Sequence, residues 1–246
     1  MDPTAPAAEG ADLYNAYRTV TVTRPAIGPH DLVLIGGGEH AHVVLDAARS
    51  QPDQWSVVGY VDPRTDAGLQ ALGVEWLGDD ATAADRVRGR HCILAVGGIG
   101  ETQQRQAIAH RYASRGVPWA TVVHGRAIVA ASAILGPGVA VLAGAVVNPG
   151  ARIQEHCIVN TGAIVEHDVD LGPFVHVGPG AAVGGACSIG MGTYVGLGAR
   201  IRDHIRVGAG AVIGMGAVVV EAVPDGAVVV GVPARPIRKA SGRDAL

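Results

Sequence analysis

The rhythm of hydrophobic and polar positions changes once along this chain, near residue 123. From Val123 to Val219, every sixth residue is aliphatic without exception. A second series, Ala127 to Val223 in steps of six, holds no aromatic or charged residue. Gly crowds the second and fourth places of each hexad, as in Val177-Gly178-Pro179-Gly180. A period of six fits neither a helix nor an alternating strand. It predicts a prism with three flat faces, one hexad to a face. The aliphatic residue points inward, the small residue two places earlier fills the corner, and Gly permits the turn. Three hexads make one coil of 18 residues, and coils stack at the strand spacing of about 4.8 Å. The register runs from 123 to 223 without an insertion, so no coil carries a long excursion.

Upstream, the pattern alternates between strand, glycine and helix. Leu32-Val33-Leu34-Ile35 is an apolar run ending at Gly36-Gly37-Gly38, and a helix is expected over 40–49. Strands are expected over 56–61, ending at Asp62, and 91–96, ending at Gly97-Gly98, with an amphipathic helix over 101–115. This alternation predicts a small parallel α/β sheet. The fold class is therefore α/β plus β: a Rossmann-like domain at 31–122, then a parallel β-helix with a C-terminal tail at 123–246. Residues 1–30 read as a loose extension.

Composition sharpens the picture. Only 17% of residues are charged and 4% aromatic, so the core must be built from Val, Ala, Ile and Leu. A net charge of −3 offers no footprint for a phosphate backbone, and no nucleic-acid partner is expected. The uncharged stretch 127–151 is long enough to span a bilayer. Its Gly and Pro residues and its hexad register assign it to the prism instead, and no membrane partner is expected. The N-terminus has no basic start followed by an apolar run, so it is not read as a secretory signal. Cys92, Cys157 and Cys187 form no CxxC motif, which points to a reduced, cytoplasmic protein without disulfides.

The glycine turn Gly36–Gly38 places backbone N–H groups and a helix N-terminus where an anion or nucleotide can sit. It is not a clean GxGxxG. Asp62 follows Gly36 by 26 positions, near the spacing of a ribose-binding acid. The short sheet favours a single nucleotide over NAD, and a purely structural turn is the remaining alternative.

Together the halves resemble the bacterial nucleotide-sugar acetyltransferases of the PglD/NeuD type, over 32–239. The most specific stretch is Asn160-Thr161-Gly162-Ala163-Ile164-Val165-Glu166-His167-Asp168, followed by Gly172-Pro173-Phe174-Val175-His176-Val177-Gly178-Pro179-Gly180-Ala181. The resemblance implies a left-handed β-helix, acetyl-CoA as co-substrate, no metal, and a nucleotide-linked amino sugar as acceptor. It also implies a homotrimer with active sites between subunits. By the same resemblance His167 is the general base, Asp168 its orienting partner, and His176 a contact of the acyl group. Gly185, Leu197 and Met215 match acetyl-CoA positions. Gly38, Glu39, His40, Asp62 and Gly97 match substrate positions. Two departures stand out: Glu39 sets a carboxylate beside a diphosphate, and Pro63 follows Asp62.

The chemistry fits these residue types. Transfer from a thioester needs no enzyme nucleophile, only removal of a proton from the attacking amine or hydroxyl. A His suits that at neutral pH. A carboxylate on its other ring nitrogen fixes the tautomer; Asp168 or Glu166 can do this, and the resemblance favours Asp168. Gly185 lies 18 residues after His167 and is expected directly above it, leaving room for a pantetheine arm. Leu197 and Met215 are expected on another face, which points to a groove between two prisms. His156 and His204, at the turns, are expected to be solvent-exposed, and His110 to lie on a helix surface. His40 is either a substrate contact or a helix-start residue. Arg235, Arg238 and Lys239 either meet CoA phosphates or form a solvated tail.

Competing readings remain. A γ-type carbonic anhydrase is also a β-helix and would place zinc on histidines such as His156, His167, His176 and His204. A sugar O-acetyltransferase of the sialic-acid type would use the same base. A non-catalytic nucleotide-sugar-binding scaffold would need no base at all.

Overall fold

A computed structural model describes residues 29–65, 68–98 and 102–239, without the side chains of Arg238 and Lys239. The extension expected over 1–30 lies, but for its last two residues, outside the described residues. The first unit holds a three-stranded parallel sheet in the order β2-β1-β3: β1 (His30–Ile35), β2 (Trp55–Val61) and β3 (His91–Leu94). Helix α1 (Glu39–Arg49) follows β1, a one-turn helix α2 (Ala84–Val87) precedes β3, and α3 (Thr102–Ala113) follows it. Leu32, Val33, Leu34 and Ile93 are fully buried. Each such side chain contributes about 1.5–3 kcal/mol by leaving water. Ala41, Val44, Leu45 and Ala48 recur on one side of α1 and are buried against the sheet.

From Val122 to Val219 the chain is a succession of two-residue strands in three parallel sheets, the three faces of a prism. The first face stacks Val122–Val123, Ala140–Val141, Ile158–Val159, His176–Val177, Tyr194–Val195 and Val212–Ile213. The second stacks Ile128–Val129, Val146–Val147, Ile164–Val165, Ala182–Val183, Arg200–Ile201 and Val218–Val219. The third runs from Ile134–Leu135 through Arg152–Ile153, Asp170–Leu171 and Ser188–Ile189 to Arg206–Val207. Partners sit 18 residues apart, as the hexad period predicts. The inward series and the corner series together form one continuous core.

The turns explain the glycines. From Gly138 to Gly216 the fourth place of each hexad takes a left-handed backbone, as at Gly162 (φ 64°) and Gly180 (φ 63°). Non-glycine residues hold this conformation at His156, Asp168, Phe174, Ala186 and His204, with φ between 53° and 60°. Such strain persists only where the surroundings over-determine it.

The first unit packs on the flank of the prism, not over its open end. Val122, Ala140, Leu142 and Ile158 of the first face share a core with α1 and β1. Val123, Val129 and Leu135 inside the first coil are only partly buried. Buried Arg105 of α3 ties the units together, donating to the backbone carbonyls of His156 and, at 3.3 Å, Phe174. Thr102 Oγ1 donates to the Gly192 carbonyl at 3.0 Å, and the Gly125 N–H donates to Ser50 Oγ at 2.8 Å. The tail contains elements the hexad pattern did not indicate. Ala227–Val230 continues the first face, and Arg235–Lys239 pairs antiparallel with it.

Candidate active site

A cavity of about 530 Å³ opens at the carboxyl ends of β1 and β3, where the strand order reverses. Gly36, Gly38, Glu39, His40, Asp62 and Gly97 all line it. Gly36 (φ 112°) must be glycine, since a Cβ there would meet Val96 at 2.7 Å. Asp62 is the organising group. Its Oδ2 accepts from the Gly37 N–H at 2.8 Å, and its Oδ1 from the Arg64 N–H and Nε at 2.9 and 3.1 Å. Burial works against its ionisation, but the hydrogen bonds from Arg64 and Gly37 outweigh this and hold the carboxyl below its usual range.

At the other end of the cavity, His40 packs closely against Gly97. A Cβ on Gly97 would lie 2.7 Å from the imidazole Cγ. The His40 ring also contacts His176, with centroids 6.0 Å apart. Burial and the Arg105 charge lower His40 to about 4. Burial, then His40 and Arg105, lower His176 to about 3. Both are neutral at pH 7. The tautomer of His176 follows from its neighbour. Asn160 Oδ1 accepts from the Thr161 N–H at 2.8 Å, so its amide nitrogen is the atom 3.0 Å from His176 Nε2. Nε2 is then the acceptor and Nδ1 carries the proton. That N–H is buried and has no partner among the described residues.

The third group is at the edge between the second and third faces. His167 follows Ile164–Val165 and precedes Asp170–Leu171. Its Nδ1 lies 3.0 Å from Asp168 Oδ2. Glu166 serves another atom: its carboxylate accepts from the His167 backbone N–H at 3.2 Å. The hydrogen bond to Asp168, reinforced by the charges of Asp168 and Glu166, raises the His167 pKa although the ring is exposed. With Nδ1–H donating to the carboxylate, Nε2 is left as a proton acceptor.

Two glycines frame this pair. A Cβ on Gly185, one coil above, would lie 2.6 Å from His167 Nε2. A Cβ on Gly150, one coil below Asp168, would lie 2.4 Å from Asp168 Oδ1. The expected stacking of Gly185 over His167 is therefore present, and Gly150 is a counterpart that sequence reading missed. Its signal was available in the 18-residue step. Leu197 and Met215 stack at the edge between the first and second faces and are 52% and 65% exposed.

The chain thus assembles three clusters and does not unite them. Gly38, Glu39, His40, Asp62 and Gly97 share the cavity, with His176 against His40. His167, Asp168 and Gly185 share an edge opposite the first face, which carries His176. Leu197 and Met215 mark another edge, between the first and second faces.

One expectation fails. His156 is not at the solvent but 5% exposed, stacked on Phe174 with centroids 4.9 Å apart and edge-on to Trp119 at 4.6 Å. The packing of α3 and its Arg105 on this turn covers it, a contact between residues 51 apart that no local pattern announces. His204 and His110 are exposed, as expected. Among the described residues no group of three or more His, Cys, Asp or Glu side chains is placed to hold a metal ion. All three cysteines are free and buried, and burial pushes Cys92 and Cys157 up to about 12. No described helix is long and apolar enough to cross a membrane.

The architecture and the edge-mounted imidazole–carboxylate pair define a hexapeptide-repeat acyltransferase. The PglD N-terminal domain family matches residues 31–112. PerB from Caulobacter crescentus, solved with CoA and GDP-perosamine, is 35% identical, with 84% of this chain and 96% of that one covered and a TM-score of 0.75. The acetyltransferase domain of PglB from Neisseria gonorrhoeae, solved with acetyl coenzyme A, is 34% identical, with 85% and 100% covered and a TM-score of 0.78. WeeI from Acinetobacter baumannii shares the fold at 23% identity and a TM-score of 0.66. No curated protein sequence matches. The chain belongs to the PglD/NeuD-type sugar acyltransferases, whose β-helix is left-handed, and it is an enzyme of that class.

Proposed function

We propose that the protein transfers an acetyl group from acetyl-CoA to the amine of a nucleotide-linked amino sugar, with His167 as general base. The observation that carries this reading is the His167 Nδ1–Asp168 Oδ2 contact at 3.0 Å, with Nε2 facing the bare Cα of Gly185. The amine nitrogen attacks the thioester carbonyl, a C–N bond forms, and the C–S bond breaks. His167 Nε2 takes the proton from the amine and passes it to the departing CoA sulfur. Asp168 stabilises the imidazolium formed in between. The His176 Nδ1–H, buried without a partner among the described residues, is the donor for the carbonyl oxygen as charge develops there. The glycine turn and Asp62 hold the nucleotide. The ligands of PerB and of the PglB domain support both substrates.

Because His167 and His176 lie on opposite sides of one prism, the site is completed by a second copy. The outer ladder of the second face supports this arrangement. Ile128 and Ile164 are 66% and 37% exposed there, with Val146 between them in register. Met215 and Leu197 extend the apolar strip along the adjoining edge, where the acetyl-CoA arm lies. A closed cyclic trimer gives three such grooves.

The test is a CoA thiol-release assay with acetyl-CoA and a panel of nucleotide-linked amino sugars, with the corresponding hydroxy sugars as controls. Turnover with an amino sugar supports the reading. Turnover with hydroxy sugars alone, or with none, rejects it.

A further inference from the structure

The nucleotide cavity has a directional order that carries information about the base. Its His40–Gly97 end abuts the prism through His176, so the reacting sugar lies there. The glycine turn and the start of α1 come next, where the diphosphate fits. Asp62 follows, at the ribose. Beyond Asp62 the wall is made by the segment after β2, because the Asp62 N–H donates to the Gly78 carbonyl at 3.2 Å. That segment brings Asp80 into the far end of the cavity, where Pro63 and Ile108 add apolar surface.

Asp80 is held firmly. Its Oδ1 accepts from Tyr112 Oη at 2.7 Å, and its Oδ2 is paired with Arg111. Both donors come from α3, so the carboxylate is fixed between the sheet and that helix. A carboxylate offers about four acceptor positions, and these contacts use two. The side chain remains 34% exposed and lines the cavity. What it presents to a base is a pair of acceptors and no donor.

Of the common bases, one matches that pair. Guanine carries two adjacent donors, N1–H and the 2-amino group, which meet a carboxylate in a two-pronged, charge-assisted contact. Adenine and cytosine set a ring acceptor beside their amino group, which the carboxylate repels. Uracil and thymine offer one N–H between two carbonyls, which it also repels. We propose that Asp80 reads the Watson–Crick edge of guanine, so that the acceptor substrate is a guanosine diphosphate-linked amino sugar. The proposal rests on the nucleotide-sugar reading above and goes beyond it by assigning the base and the residue that selects it.

Titration calorimetry of the full chain with GDP, IDP, UDP, CDP and dTDP tests it. IDP lacks only the 2-amino group. Wild type is expected to bind GDP at least about tenfold tighter than IDP, the scale of one hydrogen bond to a charged group, and tighter still than the pyrimidine nucleotides. Asp80→Asn, which keeps the shape, is expected to lose at least about tenfold in GDP affinity while UDP affinity stays put. Equal or tighter binding of UDP, CDP or dTDP to wild type overturns the guanine assignment but leaves the nucleotide pocket standing. A uniform loss for every nucleotide in Asp80→Asn overturns the role of Asp80 as a reader and leaves it a tether of α3. No binding of any of the five overturns the pocket reading itself.

Discussion

His167 Nε2 and the Cα of Gly185 face each other across one coil step, so closely that a single added carbon at residue 185 would sit 2.6 Å from the ring nitrogen. One coil below, Gly150 stands in the same relation to the Asp168 carboxylate. The imidazole and the carboxylate are slotted between two residues without side chains. Both side chains are otherwise largely exposed.

This slot is testable by filling it. Gly185→Ala is expected to displace the imidazole and lower kcat about 10²-fold, the cost of misplacing a reacting group by about 1 Å. Gly150→Ala also strains a left-handed turn (φ 74°) and pushes Asp168 off the ring. Its activity is expected to fall toward that of Asp168→Ala. Steady-state kinetics of the three variants, with circular dichroism to confirm folding, decide this. Wild-type kcat in Gly185→Ala contradicts the slot.

The pH profile follows from the same contact. Asp168 raises the His167 pKa, and the proposed role as general base requires the neutral ring. The acid limb of kcat/KM is therefore expected above the ordinary histidine value of about 6.5. In Asp168→Asn the limb is expected to move down toward that value while the plateau rate drops. An unmoved limb shows that another group controls it.

How much of this was legible in the sequence depends on distance along the chain. The prism was legible because every core contact repeats at a fixed step, and the His167–Asp168 pair because its partners are a neighbour and residues 18 away. Glu166 and Asp168 were not separable by spacing alone. The structure assigns Asp168 to the ring and Glu166 to the backbone. What stayed hidden depends on docking between the two units. Arg105 reads as one more polar residue of α3, yet it is 2% exposed and bonds the turns carrying His156 and Phe174. The burial of His156 has the same origin. Asp80 sits in no motif and reaches the cavity only because the segment after β2 folds back beside Asp62.

That docking leaves an acid-sensitive seam. His40, His156 and His176 are buried near Arg105, with values of about 4, 4 and 3. Each is depressed below the unfolded value of about 6.5. Between those limits the unfolded chain binds more protons, so stability is full above about pH 6.5 and falls as pH drops toward 4. At pH 5 each imidazole costs about 2 kcal/mol. Tm is expected to fall steadily from pH 7 to pH 5 in differential scanning calorimetry. His156→Phe, which keeps the stacking on Phe174 without a titrating ring, is expected to lessen the fall. A Tm flat across that range contradicts the neutral, buried assignment.

The central claim is that an exposed imidazole, oriented by Asp168, deprotonates the acceptor amine. The direct measurement is single-turnover acetyl transfer by His167→Ala, with acetyl-CoA affinity measured on the same preparation. The account requires a loss of about 10²–10⁴ in rate with acetyl-CoA binding unchanged. Transfer at close to the wild-type rate contradicts it.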